Sequence, residues 1–376
     1  MHDPRFDKLA EVLTNYSVKV TKGDNVWIDI SETPVEFTLS LMRAVRKAGG
    51  HAFVDVIENR VRREFITGAT EDEVKALAEM DMFRMERTQC YIGVRGSLNI
   101  TETSDIPTER MHAFEQHWLL PVHLEQRVKH TRWVGLRWPT PSMAQLAGMS
   151  TEAFENFYFD VCTLDYSRMA RAMEPLVELM NKTDRVRLTA EGTDLRFSIK
   201  GIPAVACSGE MNIPDGEVFT APVKDSVEGT IAYNAKTIYR GTAFEGITLK
   251  FEQGRIVEAT APDKADKLNE ILDTDEGSRF VGEFAIGVNP YITRPMLDIL
   301  FDEKISGSIH FTPGAAYEDE ADNGNRSSVH WDMVLLQDAA AGGGEIWFDD
   351  VLIRKDGLFV LDSLKPLNPE EMLKDA

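Results

Sequence analysis

The chain has 376 residues, enough for two domains of ordinary size, each with its own core. Its 62 acidic residues against 41 basic ones give a formal net charge of −21, which repels phosphate backbones and anionic lipid and argues against nucleic-acid and membrane partners. Cys90, Cys162 and Cys207 lack CxxC spacing, so neither a disulfide framework nor a thiolate zinc site is expected; no window approaches the roughly 18 apolar residues of a membrane span, and a cytoplasmic location is expected.

Leu9, Val12, Leu13, Tyr16 and Val18 recur at helical spacing and predict an amphipathic helix over residues 7–20, leading through K-G-D into the apolar strand N-V-W-I-D-I. A helix in V-E-F-T-L-S-L-M-R-A-V-R-K-A, stopped by Gly49-Gly50, and the strand H-A-F-V-D-V-I complete a βαβ unit. A second round runs from E-D-E-V-K-A-L-A-E-M-D-M-F-R-M-E-R to C-Y-I-G-V-R-G, and a third from the helix-like stretch 106–130 to R-W-V-G-L-R-W. Such alternation predicts a parallel sheet. Residues 151–180 predict a long helical region. Beyond Asn181-Lys182-Thr183-Asp184 the pattern changes to short strands broken at Gly or Asp: V-R-L-T-A, L-R-F-S-I, G-T-I-A-Y, I-T-L-K-F and R-I-V-E-A-T. The expected architecture is an α/β N-terminal domain with a parallel sheet, residues 1–183, followed by an α+β, mostly antiparallel C-terminal domain, residues 184–376. Near the end, Asp356-Gly357 marks a tight hairpin turn.

Of the eight histidines, only His310 and His330 lie beyond residue 130. His330 sits in the strand-like run S-V-H-W-D-M-V-L-L, where alternate side chains share a face, so His330 and Asp332 are expected to reach one ion together. Glu217 follows a Pro-Asp-Gly turn at the start of a strand. Glu283 lies in the apolar segment F-V-G-E-F-A-I-G-V-N, where an unpaired carboxylate costs several kcal/mol. Glu303 precedes His310 by seven residues and Tyr317 follows it by seven. Taken singly, each has a plain structural reading: Glu303 beside Lys304 as a solvated charge, a strand histidine as a satisfied core group, Tyr317 as a packing aromatic. Taken together, carboxylates and imidazoles without thiolates suit zinc, cobalt or manganese, and several carboxylates allow two ions about 3.5–4 Å apart to share one.

The segments N-I-P-D-G-E-V-F-T-A-P, G-E-F-A-I-G, D-E-K-I-S-G-S-I-H with Tyr317 beyond it, and N-R-S-S-V-H-W-D-M resemble, in order and spacing, the thermophilic aminopeptidase family of metallopeptidases, M29. The likeness extends through L-A-E-V-L-T-N-Y-S-V-K-V-T-K-G-D-N-V-W-I and R-W-P-T-P-S-M-A-Q-L-A-G-M-S, so it covers nearly the whole chain. It implies an α/β N-terminal domain, a C-terminal metal-binding catalytic domain, a homodimer whose sites face an internal cavity, and two divalent ions per chain. Carried over by motif, Glu217, Glu283, Glu303, His310, His330 and Asp332 are the metal ligands, Glu283 being the first candidate for the bridging carboxylate or general base and Glu303 the other, and Tyr317 is the catalytic phenol. Two departures stand out: Glu303 lies farther from His310 than in the family, and the acidic stretch between Tyr317 and His330 is short for it.

The activity so implied is release of the N-terminal residue from short peptides with a free α-amine, by hydroxide held between two ions. The residues also allow a rival, because His310, His330 and Asp332 alone form the two-histidine, one-carboxylate set of mononuclear iron(II) ring-cleaving dioxygenases. A third reading is a dimeric binding protein whose ions only brace the fold.

Overall fold

Val26, Ile28 and Ile30 alternate with Trp27, Asp29 and Ser31, and all six are buried, as expected of a parallel strand covered on both faces. In the computed structural model, which describes residues 3–374, this strand is β1 (Asn25–Ser31), paired in parallel with β2 (His51–Ile57) on one side and β3 (Cys90–Arg95) on the other. β4 (Arg132–Arg137) continues the parallel ladder beyond β3. The helix Glu71–Met85 starts at a capping box, Thr70 accepting from the Glu73 amide while Glu73 reaches back to Thr70. It packs with the segment Glu115–Arg127 over Trp27, Tyr91 and Trp133. The predicted first helix is α-helical over Pro4–Glu11 and widens to a π-helix over Val12–Ser17. The stretch expected to be helical from 106 to 130 is likewise π-helical over Glu115–Arg127, with Pro121 inside. No helix among the described residues is long and apolar enough to cross a membrane.

The chain divides into two compact units, residues 1–164 with 209–213, and 165–208 with 214–376. Patterning alone set the change near residue 183. The helix Tyr166–Lys182 nevertheless groups with the second unit, its buried Met169, Met173, Leu176 and Met180 facing that unit's strands. Asn212–Ile213 adds a fifth parallel strand beside β4; two residues carry too little periodicity to be read in advance.

The second unit is built from antiparallel ladders, as the alternating strands predict. One sheet has eight strands, running from Arg255–Thr260 at one edge through Thr193–Ser198 and Arg185–Ala190 to Leu358–Phe359 at the other. A second sheet has five, in the order Val334–Leu336, Ser308–Pro313, Val281–Gly287, Glu217–Thr220, Val205–Cys207. An aromatic layer joins them: the Phe197 ring lies 5.0 Å from both Phe284 and Phe311. The hairpin turn Asp356-Gly357 has both residues at positive φ, +47° and +83°, the twist-matched turn that Asp-Gly favours.

Candidate metal centre

Phe284, Ile286, Ile309 and Phe311 point into the apolar layer, so period-two alternation turns Glu283, Ala285, His310 and Thr312 to the opposite face of the five-stranded sheet. Register then assembles the site. Ala285 pairs with His310, Glu283 with Thr312, and Gly287 with Glu217. Glu217, Glu283 and His310 thus share one face of three adjacent strands, with the small residues Ala285 and Gly287 leaving space among them. The Pro214-Asp215-Gly216 turn feeds Glu217 into its strand. Gly216 has φ +137°, and a side chain there would meet Asn289 Cβ at 2.8 Å, because Asn289 closes over the turn and donates to the Asp215 carbonyl at 2.7 Å.

His330 and Asp332 arrive by another route than expected. Their segment is not a continuous strand: His330 makes an isolated bridge to Gly314, and regular pairing resumes only at Val334–Leu336. Gly314, at φ +113°, approaches the backbone too closely for any side chain, its Cβ position being 2.0 Å from the Val329 carbonyl oxygen. This close approach brings His330 beside the sheet. Its Nε2 lies 3.2 Å from Glu283 Oε2 and 3.2 Å from Asp332 Oδ1, while His310 Nε2 lies 3.3 Å from Glu283 Oε1 and 3.4 Å from Glu217 Oε2. The Thr312 hydroxyl donates to Asp332 at 2.7 Å and fixes that carboxylate.

Five of the six expected ligands therefore form two groups, Glu217–Glu283–His310 and Glu283–His330–Asp332, each with its donor atoms within 4.8 Å of one another. Glu283 belongs to both. Glu303, at the C-terminal cap of the short helix Ile299–Asp302, stands outside them and is engaged by the ammonium of Lys304. Burial pushes its carboxyl up to about 8, helped by Glu217 and Asp332 and opposed by Lys304. The Tyr317 ring lies 5.1 Å from the His330 ring and 5.3 Å from Phe219, at 46% exposure, on the loop after the His310 strand. His310, His330 and Asp332 do not fall into one group of their own.

Two participants are absent from the sequence reading. Lys304, 1% exposed, sets its ammonium 2.8 Å from Glu217 and 3.8 Å from Asp215, besides touching Glu303. Asp215 also joins Cys207 and Glu217 in a third cluster of potential ligands, one that already has this ammonium against two of its members. In sequence, D-E-K looks like a surface charge run. The one available signal was Ile305-Ser306-Gly307-Ser308 behind it, which leads directly into a buried strand.

The donor set fits divalent cations. His330 Nδ1 is 2.9 Å from the Ala315 carbonyl, which can only accept, so the proton sits on Nδ1 and a neutral ring would aim its Nε2 lone pair at two carboxylates. That Nε2 makes no hydrogen bond of good geometry, and Glu217 Oε2 is likewise buried without one. Asp215, Glu217, Glu283 and Asp332 contribute four negative charges and Lys304 one positive, leaving −3 beside neutral imidazoles, or −4 once Glu303 is ionised as well. Two divalent cations bring +4. Without them the histidines must carry protons. Burial alone would lower both, yet Glu217 and Glu283 raise His310 to about 10, and Asp332 and Glu283 raise His330 to about 12.

The sequence model of the thermophilic metalloprotease (M29) family matches residues 2–359. The chain belongs to this family. Among its relatives, aminopeptidase AmpS of Bacillus subtilis (strain 168) is 38% identical over 152 residues, 37% of each chain. That alignment, like the one with aminopeptidase T of Thermus thermophilus, spans only a little over a third of the relative's length, 37% and 34% respectively. Wild-type AmpT from Thermus thermophilus has the same fold, with a TM-score of 0.78 at 23% identity over 95% of this chain and 99% of that one. The fold also extends to 2,5-dihydroxypyridine dioxygenase from Pseudomonas putida KT2440, at TM-score 0.61 and 15% identity over 96% and 98% of the two chains. The M29 membership agrees with the resemblance carried by the motifs around Glu217, Glu283, His310 and His330.

Proposed function

We propose that the protein is a metal-dependent aminopeptidase that releases the N-terminal residue from short peptides, using two divalent ions per chain, zinc, cobalt or manganese, and working in the cytoplasm as a homodimer. The observation that carries this reading is the sharing of Glu283: one carboxylate oxygen faces His310 and the other faces His330. A carboxylate so placed suits two cations, with Glu217 and His310 completing one ligand set and His330 and Asp332 the other. When bound, the pair would supply a water acidified toward neutral pH and an electrophile for the scissile carbonyl. The exopeptidase part of the reading is supported by the names of the M29 relatives, which are aminopeptidases.

The remaining roles belong to the chain itself. Because Glu283 has both oxygens occupied, Glu303 is the better-placed proton acceptor of the two carboxylates. Its carboxyl, pushed up to about 8, matches proton transfer near neutral pH, a contribution of typically 10²–10⁴-fold. Tyr317 is the hydrogen-bond donor to the developing oxyanion. Desolvation by the protein around the site and then the carboxylates Glu283 and Asp332 hold the phenol of this half-exposed ring well above the ordinary value, so it remains protonated and able to donate. The iron-dioxygenase reading is less well supported, since its three ligands are split between two groups bridged by Glu283. A merely braced fold leaves the half-exposed Tyr317 beside His330 without a task.

The test is hydrolysis of a pool of short peptides by chelator-stripped protein reloaded with zinc, cobalt or manganese, alongside the same peptides N-acetylated. Metal-dependent release of the first residue from the free peptides alone is expected. Equal cleavage of the acetylated set, or none of either, would sink the proposal.

A further inference from the structure

A second polar cavity lies within the parallel-sheet unit. Asp29, Gly93 and Gly135 are direct partners across β1, β3 and β4, so two neighbouring positions without side chains leave a depression in one sheet face. It lies toward the carboxyl ends of β1 and β3, between which the strand order β2-β1-β3-β4 reverses, the place where open α/β sheets bind ligands. Tyr91 and Trp133 stand on one side of it and Arg95 on the other. Trp118, His123 and Arg127, spaced five and four residues apart on the π-helical segment, cover it, and Arg62 comes from the helix Asn59–Gly68. Its volume is about 240 Å³, and it is partly open to solvent.

Its charge is out of keeping with a chain of −21. Three guanidiniums line it, and the carboxylate that pairs with them is Asp29, 2.6 Å from Arg95 and 3.9 Å from Arg62, which leaves +2. Of the next carboxylates out, Asp55 is paired with Arg84, and Asp81 accepts from the Trp118 indole behind the cavity wall, which lowers the local excess to +1. Arg127 makes no ion pair among the described residues; its guanidinium lies over the rings of Trp133 and Tyr91, and its Nε donates to His123 Nδ1 at 3.1 Å. The His123 ring is therefore the neutral tautomer with hydrogen on Nε2. Burial and the guanidiniums of Arg127, Arg95 and Arg62 keep it so, at about 3. At 4% exposure this Nε2–H has no hydrogen-bond partner among the described residues, and neither has the buried Trp133 Nε1–H. Buried donors are rarely left unpaired without a reason.

We propose that this cavity binds a small oxyanion, the carboxylate or phosphate group of a low-molecular-weight ligand, received by the Arg127 guanidinium. Excess positive charge, a lining guanidinium that makes no ion pair among the described residues and aromatic walls of Tyr91, Trp118 and Trp133 together describe such a receptor. None of its residues belongs to the metal centre, so the inference does not depend on the proposed peptidase activity.

The probes are inorganic phosphate and succinate, titrated by calorimetry into the full-length, metal-loaded protein, with chloride at matched ionic strength as reference. Saturable binding of one anion per chain is expected, from phosphate if the site takes phosphate groups and from succinate if it takes carboxylates. Arg127→Met should weaken that binding at least tenfold. Gly135→Val is the companion variant. It fills the depression and removes no charge, and a Cβ at position 135 meets no atom closer than the Trp133 ring at 3.8 Å, so a folded protein that has lost the anion is expected. No saturable binding of either anion overturns the proposal. So does binding of undiminished affinity in either folded variant, which would place the anion elsewhere, the metal centre included.

Discussion

Lys304 is held with its ammonium among Glu217, Glu303 and Asp215. Removing one member of a buried ion pair commonly costs about 3–5 kcal/mol, since the partner charges stay behind. Lys304→Met is therefore expected to lower the unfolding free energy of metal-free protein, read from its urea midpoint and slope, by an amount in that range, and to gain more from added zinc than the parent does. An unchanged midpoint would mean that water, not Lys304, balances these carboxylates. Tyr317→Phe separates chemistry from metal binding. Turnover should fall about 10²–10³-fold, the usual loss for an oxyanion donor, while metal content per chain stays the same. Unaltered turnover removes Tyr317 from the mechanism. The motif-bearing residues were legible in sequence because chemistry restricts them: a carboxylate in F-V-G-E-F-A-I-G has few reasons to be there. Lys304 and Asp215 were not, because a lysine after Asp302-Glu303 and an aspartate in a Pro-Asp-Gly turn both have an ordinary surface explanation.

Between the residues and the fold stand the two ways in which backbone delivers the ligands. Strand pairing places Glu217, Glu283 and His310 on one face of three adjacent strands. His330 and Asp332 depend instead on a clamp around Asp275. Burial would raise this carboxyl, but the Ser328 amide and the hydroxyls of Ser327, Ser278 and Ser328 together hold it well below the usual range. The contacts are 2.8 Å to the Ser328 amide and 2.8 Å to the Ser327 hydroxyl, two and three residues ahead of His330. Asp275→Ala leaves those donors unpaired, for which about 1–3 kcal/mol is typical. The expected result is a lowered melting temperature together with a faster loss of metal to a chelator, as His330 loosens. A variant that melts earlier yet retains metal as firmly as the parent would confine Asp275 to a structural role. The depressed carboxyl also gives this clamp a pH sense: its contribution is present above the ordinary aspartate range and is lost as pH falls through the lowered value. None of this could be read from S-S-V-H-W-D-M, which has the alternation of a strand. The close approach of Gly314 to Val329 holds the segment as an isolated bridge instead.

At the scale of the molecule, strand and helix periodicities were enough to separate a parallel α/β region from an antiparallel one, and most strands fall where alternation put them. The misjudged parts are those where packing overrides pattern. The helix Tyr166–Lys182 groups with the second unit through its methionine face, and Asn212–Ile213 returns to extend the first sheet. Electrostatics couples the whole site to pH. Without cations His310 and His330 retain protons to about 10 and 12, values raised above the free imidazole, so the stability that their ion pairs contribute is fully present below about 6.5 and is lost as pH rises through those higher values. Cations must displace these protons, so metal uptake near neutral pH should release about two protons per chain, and apparent affinity should climb with pH across that range. Pairing calorimetry in buffers of different ionisation enthalpy with zinc titration measures this directly; pH-independent uptake without proton release would contradict the ligand roles of both histidines.

The sharing of Glu283 by two cations is the feature on which the proposed chemistry depends. Its most direct measurement is peptidase activity of chelator-stripped protein as zinc is added in fractions of an equivalent, with Glu283→Gln carried alongside. Activity on a free-amine dipeptide should depend on occupation of both ligand groups and reach its plateau at two equivalents per chain, and Glu283→Gln should lose the second equivalent and the activity together. A plateau at one equivalent, or full activity in the variant, would contradict it.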